Sequence, residues 1–377
     1  MEAARIWGKS GVGLQYATVA YSTYVLPILS FIGQLSAPPQ EALEAEAKAL
    51  RAMAPGPGNW CSMTDLLVMG ESFGQARSFP GLSHMCLAAQ KRVFQWEHSA
   101  QGGLAVQSKF GQLKHAIAQT EHMDRYVRWV SWYRKGPVAT LNDTSLSLDR
   151  LGLSSAELLG QAGEEKSEKG GAPNLIRVRK KFQKCVRLAL GKKARPDAVA
   201  RVRAKLCRWN LAGVPNITAN RCTRTLDHLG RLVPPRVCAA VWKTIWNGWT
   251  TARRYQKKGN CLLCCGGRYA EDSIEHYARC SVVREVGRTF LGMQQSSYDK
   301  WLGNFITLGV NSCKVDDNML TLRAVLVYAI FRTTNQLRHR PTDSVELARD
   351  MVCQFAKEAV RGHDKATQLL DNAFVRS

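Results

Sequence analysis

The chain has 377 residues, 45% of them hydrophobic, and carries a formal net charge of +23. That length allows two or three domains with their own cores, and the apolar content excludes a wholly disordered protein. Twelve cysteines are too few for a disulfide scaffold, and no secretory signal is visible, so we expect an intracellular protein, nuclear or cytoplasmic, with reduced thiols.

Residues 1–159 are predicted to form a helical region. Apolar residues recur at helical spacing from Leu43 to Met53, and the sequence APGPG that follows ends this helix. A second helix is predicted over residues 82–97, where Leu82, Met85, Cys86, Ala89 and Val93 share one face. The Gly-rich and charged sequence GQAGEEKSEKGGAPN, residues 160–174, has the composition of a linker and predicts a domain boundary.

The positive charge is concentrated after this linker. Residues 174–270 carry 23 basic side chains and two acidic ones, a net charge of +21, whereas the rest of the chain is nearly neutral. A focused field of one sign favours a polyanionic partner, most often nucleic acid. We therefore expect the chain to bind RNA or DNA with little sequence preference, and we expect no small-molecule substrate.

The region 175–260 is predicted to be helical and to bind nucleic acid. Apolar residues recur every four positions from Val178 to Leu190, which predicts an amphipathic helix whose other faces are basic. A basic helix face that is merely solvated is the alternative interpretation. The candidate phosphate contacts on this helix are Arg177, Lys180, Lys181, Lys184 and Arg187.

The sequence VWKTIWNGWTTARRYQKKGN, residues 241–260, mixes aromatic and basic side chains. Trp242, Trp246 and Trp249 are spaced for one helix face, which predicts that they form core. Aromatic rings beside cations, as in this segment, can otherwise stack on bases while the cations hold phosphates, and Arg253 and Arg254 are the better candidates for contact. The candidate contacts in this segment are Arg253, Arg254, Lys257 and Lys258.

A cluster of cysteines and one histidine follows, in the sequence CLLCCGGRYAEDSIEHYARC; we name residues 261–280 the Cys/His module. Thiolates and one imidazole within 20 residues are typical of tetrahedral Zn²⁺ sites. Either of two adjacent cysteines could be the second ligand, and cysteines buried without a metal are the alternative. The candidate ligands are Cys261, Cys264, Cys265, His276 and Cys280.

The C-terminal region, residues 281–377, is predicted to be helical. Met319–Arg338 is apolar almost all round and should form a buried helix, and another helix should begin near Asp343 with Leu347, Met351 and Phe355 on one face. The predicted fold class is mainly α: helical N-terminal region, basic helical middle, small zinc-stabilised module with at most a small hairpin, and C-terminal helices.

Two segments resemble one protein family. Residues 21–60, with the sequence YSTYVLPILS and a Pro-Pro helix, resemble the segment that follows the palm in reverse transcriptases of non-LTR, LINE-like retrotransposons. Residues 249–280 resemble the cysteine/histidine module near the C-terminus of the same polyproteins, and the two segments occur in the family's order. The resemblance implies a thumb-like region over residues 1–159, a zinc-binding Cys/His module and contact with template RNA or target DNA.

The sequence departs from this family at the catalytic residues. The family's polymerase needs palm carboxylates that hold two Mg²⁺ ions, and this sequence begins beyond the point where the palm would end. Its one Asp-Asp pair, Asp316-Asp317, lies in a polar segment and is expected at the surface. We therefore expect a remnant or fragment of such an element, with no catalytic residues, that binds nucleic acid.

Two alternatives stay open at this point. The chain could be a truncated part of an active reverse transcriptase whose palm lies upstream. It could instead be a membrane-anchored or scaffold protein, because residues 10–40 carry no charge. Pro27 and several polar residues interrupt that stretch, so a buried, broken helix is favoured and membrane contact is not expected.

Overall fold

A computed structural model describes most of the chain outside residues 98–186. The described residues are 2–10, 13–27, 30, 33, 38–97, 187, 190, 196–209, 216–263, 265–266, 270–291, 298–310 and 315–375. Most of them are helical, which confirms the mainly α fold class. Within these ranges β structure is confined to one antiparallel bridge, between Asn260 and Glu271, and no helix is both long and apolar enough to cross a membrane.

The helices are numbered here in chain order. They are α1 (Glu2–Lys9), α2 (Gly13–Ala20), α3 (Gln40–Met53), α4 (Met63–Phe73), α5 (Leu82–Glu97), α6 (Ala198–Cys207), α7 (Asn216–Leu232), α8 (Pro235–Ile245), α9 (Ile274–Arg279), α10 (Ser281–Leu291), α11 (Tyr298–Thr307), α12 (Asp317–His339), α13 (Val345–Val360) and α14 (Asp364–Val375). A π-helical turn at Tyr21–Val25 and a 3₁₀ turn at Arg253–Tyr255 accompany them.

The chain divides into two compact units. The first unit draws on Met1–Arg5, Ala20–Leu50 and Pro80–Arg195, and the second draws on Ile6–Val19, Arg51–Phe79 and Pro196–Ser377. The predicted linker at residues 160–174 lies outside the described residues, so the boundary placed there stays a prediction.

A buried carboxylate organises the first unit. Glu46 of α3 is 2% exposed and accepts hydrogen bonds from the Tyr21 hydroxyl at 3.0 Å and from the Leu82 backbone N–H at 2.6 Å. Burial raises the pKa of Glu46, although these two hydrogen bonds oppose the rise. The contact with Leu82 satisfies a backbone donor at the start of α5, where no intrahelical acceptor exists.

A second buried carboxylate, Asp65, organises the second unit from the first turn of α4. Arg201 of α6 donates to both of its oxygens, at 2.7 and 2.8 Å, and the Trp246 indole N–H donates at 3.1 Å. Asp65 also completes a capping box with Ser62. Burial alone would raise the pKa of Asp65, but the hydrogen bonds from Arg201, Ser62 and Trp246 lower it overall.

Aromatic rings surround this carboxylate. The Trp60 and Trp242 rings lie 5.1 Å apart between centroids, and the Phe73 and Trp246 rings lie 4.7 Å apart. The prediction that Trp242, Trp246 and Trp249 are core residues is confirmed, because each is at most 2% exposed. The single helix face proposed for them is wrong, since α8 ends at Ile245 and the later two tryptophans follow it in turns.

A buried lysine lies in the same core. Lys205 of α6 is 4% exposed, and its ammonium donates to the Trp60 carbonyl at 3.0 Å and lies 5.5 Å from the centre of the Trp246 ring. Burial lowers the pKa of Lys205 to about 8. The core therefore holds a cation at some energetic cost near neutral pH.

The C-terminal helices match their prediction in position and differ in one contact face. Residues 319–338 lie in α12, as predicted, and α12 packs on α13. On the predicted face of α13, Phe355 is buried and Met351 is half-buried, but Leu347 is 51% exposed, while Ala348 and Ala356 are buried. The buried face is therefore rotated by about one residue from the predicted one.

Candidate metal centre and basic surface

Four side chains of the Cys/His module converge on one point. Cys261 follows the β-bridge, Cys265 lies in the turn after it, His276 is in α9 and Cys280 ends that helix. Their ligand atoms all lie within 4.8 Å of one another, which is close enough to hold a metal ion. Cys264, the other candidate for the second ligand, lies outside the described residues.

The distances between these atoms fit tetrahedral coordination. The Cys265 Sγ and His276 Nε2 atoms lie 3.2 Å apart, and the Cys261 and Cys280 Sγ atoms lie 3.9 Å apart. Tetrahedral bonds of about 2.0–2.3 Å place neighbouring ligand atoms about 3.6–3.8 Å apart. These two distances lie within a few tenths of an ångström of that range, and the others are at most 4.8 Å, so shifts of up to about 1 Å would close the site around an ion.

Local backbone contacts explain this convergence. The Cys261 N–H donates to the Ala270 carbonyl at 2.6 Å, which holds the two sides of the module together. Gly266, directly after Cys265, has a φ of 62°, in the left-handed region that glycine adopts without strain. The Ser273 hydroxyl caps α9 by accepting a hydrogen bond from the His276 N–H at 3.1 Å. This contact fixes the backbone position from which the His276 side chain extends.

The pKa values of the two buried thiols, Cys261 and Cys280, shift in opposite directions. The hydrogen bond to Cys280 and burial raise the pKa of Cys261. The hydrogen bonds from Cys261 and His276 lower the pKa of Cys280. One thiol is thus already favoured as the thiolate, the form that binds metal ions.

Asp272 anchors the module to the rest of its unit, and sequence reasoning missed it. It is 4% exposed and accepts from the Tyr277 hydroxyl at 2.7 Å, from the Ala252 N–H at 2.8 Å and from Arg338 of α12 at 2.9 and 3.1 Å. Desolvation and the nearby Asp272 charge raise the pKa of Tyr277. Through these contacts Asp272 joins three parts of the unit: the segment before the module at Ala252, helix α9 and the C-terminal end of α12.

The basic residues predicted before the module separate into two kinds. Arg253 lies 3.5 Å from Glu271 and 3.5 Å from Glu275, and Arg254 donates to the Gly58 carbonyl at 2.9 Å. Both arginines are therefore engaged within the fold. Lys257 and Lys258 are exposed and form no ion pair with a described residue.

The predicted basic helix falls almost wholly outside the described residues. Arg177, Lys180, Lys181 and Lys184 lie in that part of the chain. Arg187 is half-buried in the first unit, where it adds to the effect of burial in lowering the pKa of His84. Phosphate contact by these five residues stays a prediction.

An arginine stripe on α7 was missed by sequence reasoning. We use this name for Arg221, Arg224 and Arg231, which lie on one exposed helix face and form no ion pair with a described residue. Ala219, Cys222, Leu226 and Leu229 are buried on the opposite face. The sequence signal for this surface was the helical spacing of the arginines opposite an apolar stripe. The prediction instead placed the phosphate contacts in the preceding tract, where basic residues are denser.

Comparisons of the chain with known protein families, with curated proteins and with solved structures find no match. The resemblance to retrotransposon reverse transcriptases therefore stays a prediction.

Proposed function

We propose that this chain is a non-catalytic nucleic-acid-binding protein whose Cys/His module holds one Zn²⁺ ion and whose basic surface neutralises phosphates. The exposed arginine stripe of α7, whose members form no ion pair with a described residue, is the observation that carries the proposal. Asp227 is the one carboxylate on this face of α7, so three arginines leave it with a net positive charge, which attracts a polyanion.

Zinc is the metal that best suits the donor set. Three thiolates and one imidazole in tetrahedral reach match a borderline-soft ion, whereas Mg²⁺ and Ca²⁺ prefer oxygen ligands. Cys261, Cys265, His276 and Cys280 would hold the ion, which would supply folding energy to a segment with little core of its own. A closed set of four protein ligands leaves no position for a substrate, as in structural zinc sites.

Charge distribution and sequence resemblance support the nucleic-acid partner. A net charge of +21 lies in residues 174–270, and exposed Lys257 and Lys258 belong to it as the arginine stripe does. The resemblance of residues 21–60 and 249–280 to parts of LINE-like reverse transcriptases supports a role next to RNA or DNA. The proposal includes an intracellular location, nuclear or cytoplasmic, where thiols stay reduced.

Salt dependence of binding tests the proposal. The zinc-loaded chain is titrated by fluorescence anisotropy against a labelled single strand and a labelled duplex at several salt concentrations. Each phosphate contact contributes about 0.7 to the log–log slope on a single strand and about 0.9 on a duplex. Replacing Arg221, Arg224 and Arg231 by Gln is expected to flatten the slope by about 2 and about 3 units, respectively.

A variant with the same change in net charge controls for long-range effects. Lys9, Arg361 and Lys365 are exposed and lie outside residues 174–270, so replacing them by Gln should leave the slope nearly unchanged. Equal losses in the two triple variants would show that only the total charge matters. Failure of the wild-type chain to bind either probe at low salt would overturn the proposal.

A further inference from the structure

Tyr255 occupies an unusual place among the aromatic residues near the module. The three tryptophans just before it are buried, whereas Tyr255 is 48% exposed and makes no ring contact with a described residue. A single exposed ring is common on protein surfaces, so a binding function for Tyr255 depends on the charges around it. The flanking charges are basic, with Arg253 and Arg254 on one side and Lys257 and Lys258 on the other.

The backbone that carries this ring is fixed. Tyr255 ends the 3₁₀ turn, and its N–H donates to the Ala252 carbonyl at 3.0 Å. Gln256 then adopts a left-handed φ of 56°, and the Lys257 N–H returns to the same Ala252 carbonyl at 2.9 Å. The Tyr255 ring and the lysines that follow it therefore extend from a single turn, which these hydrogen bonds to the Ala252 carbonyl close.

Asp272 ties this turn to the folded unit. Its carboxylate accepts from the Ala252 N–H, and its carbonyl accepts from the Arg253 N–H at 3.2 Å. Because Arg338 of α12 holds that carboxylate, the turn is anchored to a long buried helix. Because the backbone of the turn is fixed, only the side-chain torsions of Tyr255 are left to be ordered when the ring binds a flat ligand, and such preorganisation increases affinity.

Charges near the ring define where a strand could run. An open groove adjoins the module, and its lining includes Lys258 as well as the carboxylates of Glu271 and Asp343. The carboxylates would repel phosphates, so the backbone of a bound strand is expected near Lys258 and away from the acidic part of the lining. Tyr255 and Lys257 do not line the groove but lie just before Lys258 in the chain, so a base on Tyr255 can have its phosphates near the two lysines.

We propose that Tyr255 is a stacking platform for an unpaired nucleobase, with Lys257 and Lys258 holding the adjacent phosphates of a single strand. This inference rests on the proposed function and narrows its ligand to nucleic acid with exposed bases. In a duplex the base faces are covered by their neighbours, so only the phosphate contacts remain available there. Stacking tolerates every base, which agrees with the expected lack of sequence preference.

The test compares Tyr255→Ala with Tyr255→Phe, which keeps the ring. Three labelled probes are used: an oligodeoxythymidine of about 12 nucleotides, an abasic strand of equal length and a blunt duplex. Stacking contributes about 1–3 kcal/mol per base, so Tyr255→Ala is expected to bind oligodeoxythymidine about 5- to 150-fold more weakly. Tyr255→Phe should stay within about twofold of wild type, and neither variant should change duplex or abasic binding.

Other outcomes separate this inference from the proposed function. If wild-type chain binds the probes and Tyr255→Ala binds oligodeoxythymidine as tightly as Tyr255→Phe does, the stacking inference is overturned and the proposed function stands. Equal losses by Tyr255→Ala on all three probes would show damage to the turn and would also overturn the inference. If the wild-type chain binds no probe, the proposed function fails and this inference fails with it.

Discussion

Asp65 and Asp272 are both buried aspartates that hold an arginine through two hydrogen bonds, yet they serve regions of opposite construction. Asp65 lies among helices packed through aromatic rings, and its arginine comes from α6. Asp272 lies in a segment with one short 3₁₀ turn and one β-bridge, and its arginine comes from α12. The same contact therefore joins helices among packed aromatic rings in one region, and in the other it joins a segment of short elements to α12 beside the proposed metal site.

Loss of a metal ligand should have the largest effect and should stay local. We expect about one zinc ion per molecule, and we expect Cys261→Ser and Cys280→Ser to lose it, because a structural site needs all four ligands. Hydrogen exchange should accelerate across the Cys/His module while α4 and α8 stay protected. Metal analysis and exchange measurements check both points, with Cys353→Ser, which lies outside the cluster, as the control. Full zinc content in both ligand variants would contradict the assignment.

Removal of Asp65 should destabilise the second unit whether or not zinc is bound. Asp65→Ala leaves Arg201 and the Trp246 indole without their acceptor, a loss of about 3–5 kcal/mol in the free energy of unfolding. We expect the lower end, because the Arg201 side chain is 33% exposed. Denaturant unfolding with and without a chelator measures the change. Asp227→Ala, at an exposed position of α7, should shift stability by less than about 0.5 kcal/mol.

Removal of Asp272 should behave differently, since the proposed zinc site lies in its region. In the zinc-loaded chain Asp272→Ala should lower the free energy of local opening of the Cys/His module by about 3 kcal/mol, as read from hydrogen exchange. After chelation the module is already open, so variant and wild type should exchange alike. A difference that persists after chelation would show that the module folds without metal and would remove the contrast with Asp65.

The pH dependence of stability should reveal the buried Lys205. Its pKa is lowered to about 8 in the folded chain, from 10.5 as the ordinary value. Between these values the unfolded chain binds more protons, so this residue makes stability rise with pH from about 8 to about 10.5 and imposes its full cost below pH 8.

Lys205→Met removes this contribution. Relative to the variant, the wild-type chain should gain about 2–3 kcal/mol in free energy of unfolding between pH 7.5 and pH 10.5, by denaturant unfolding at each pH. Lys257→Met, at an exposed position, should show no such gain. Parallel pH profiles of Lys205→Met and wild type would show that the ammonium is solvated.

Local patterns in the sequence predicted local structure well. The apolar spacing and the APGPG stop predicted the helix that the structure has at Gln40–Met53, and the predicted helix over residues 82–97 matches α5. Ligand spacing alone brought Cys261, His276 and Cys280 into one candidate site, because a short turn and a short helix leave little freedom between them.

Contacts between distant residues could not be predicted in the same way. Asp272 and Arg338 are 66 positions apart, and nothing in either local sequence indicates the other. The hydrogen bond from Arg254 to the Gly58 carbonyl likewise joins residues 196 positions apart. Exposure of a charged side chain is a property of the packed unit, so the choice between Arg254 and Lys257 as phosphate contacts required the structure.

The positions of Asp272 and Arg338 in the chain also have a consequence for the order of folding steps during synthesis. All four candidate ligands precede Arg338 in the chain, and a ribosome adds about 5–20 residues per second. The 58 positions from Cys280, the last residue of the module, to Arg338 therefore take about 3–12 s to translate. During that interval the Cys/His module is complete while its arginine does not yet exist. Capture of the metal ion can then come first, and the C-terminal helices dock onto a module that is already closed.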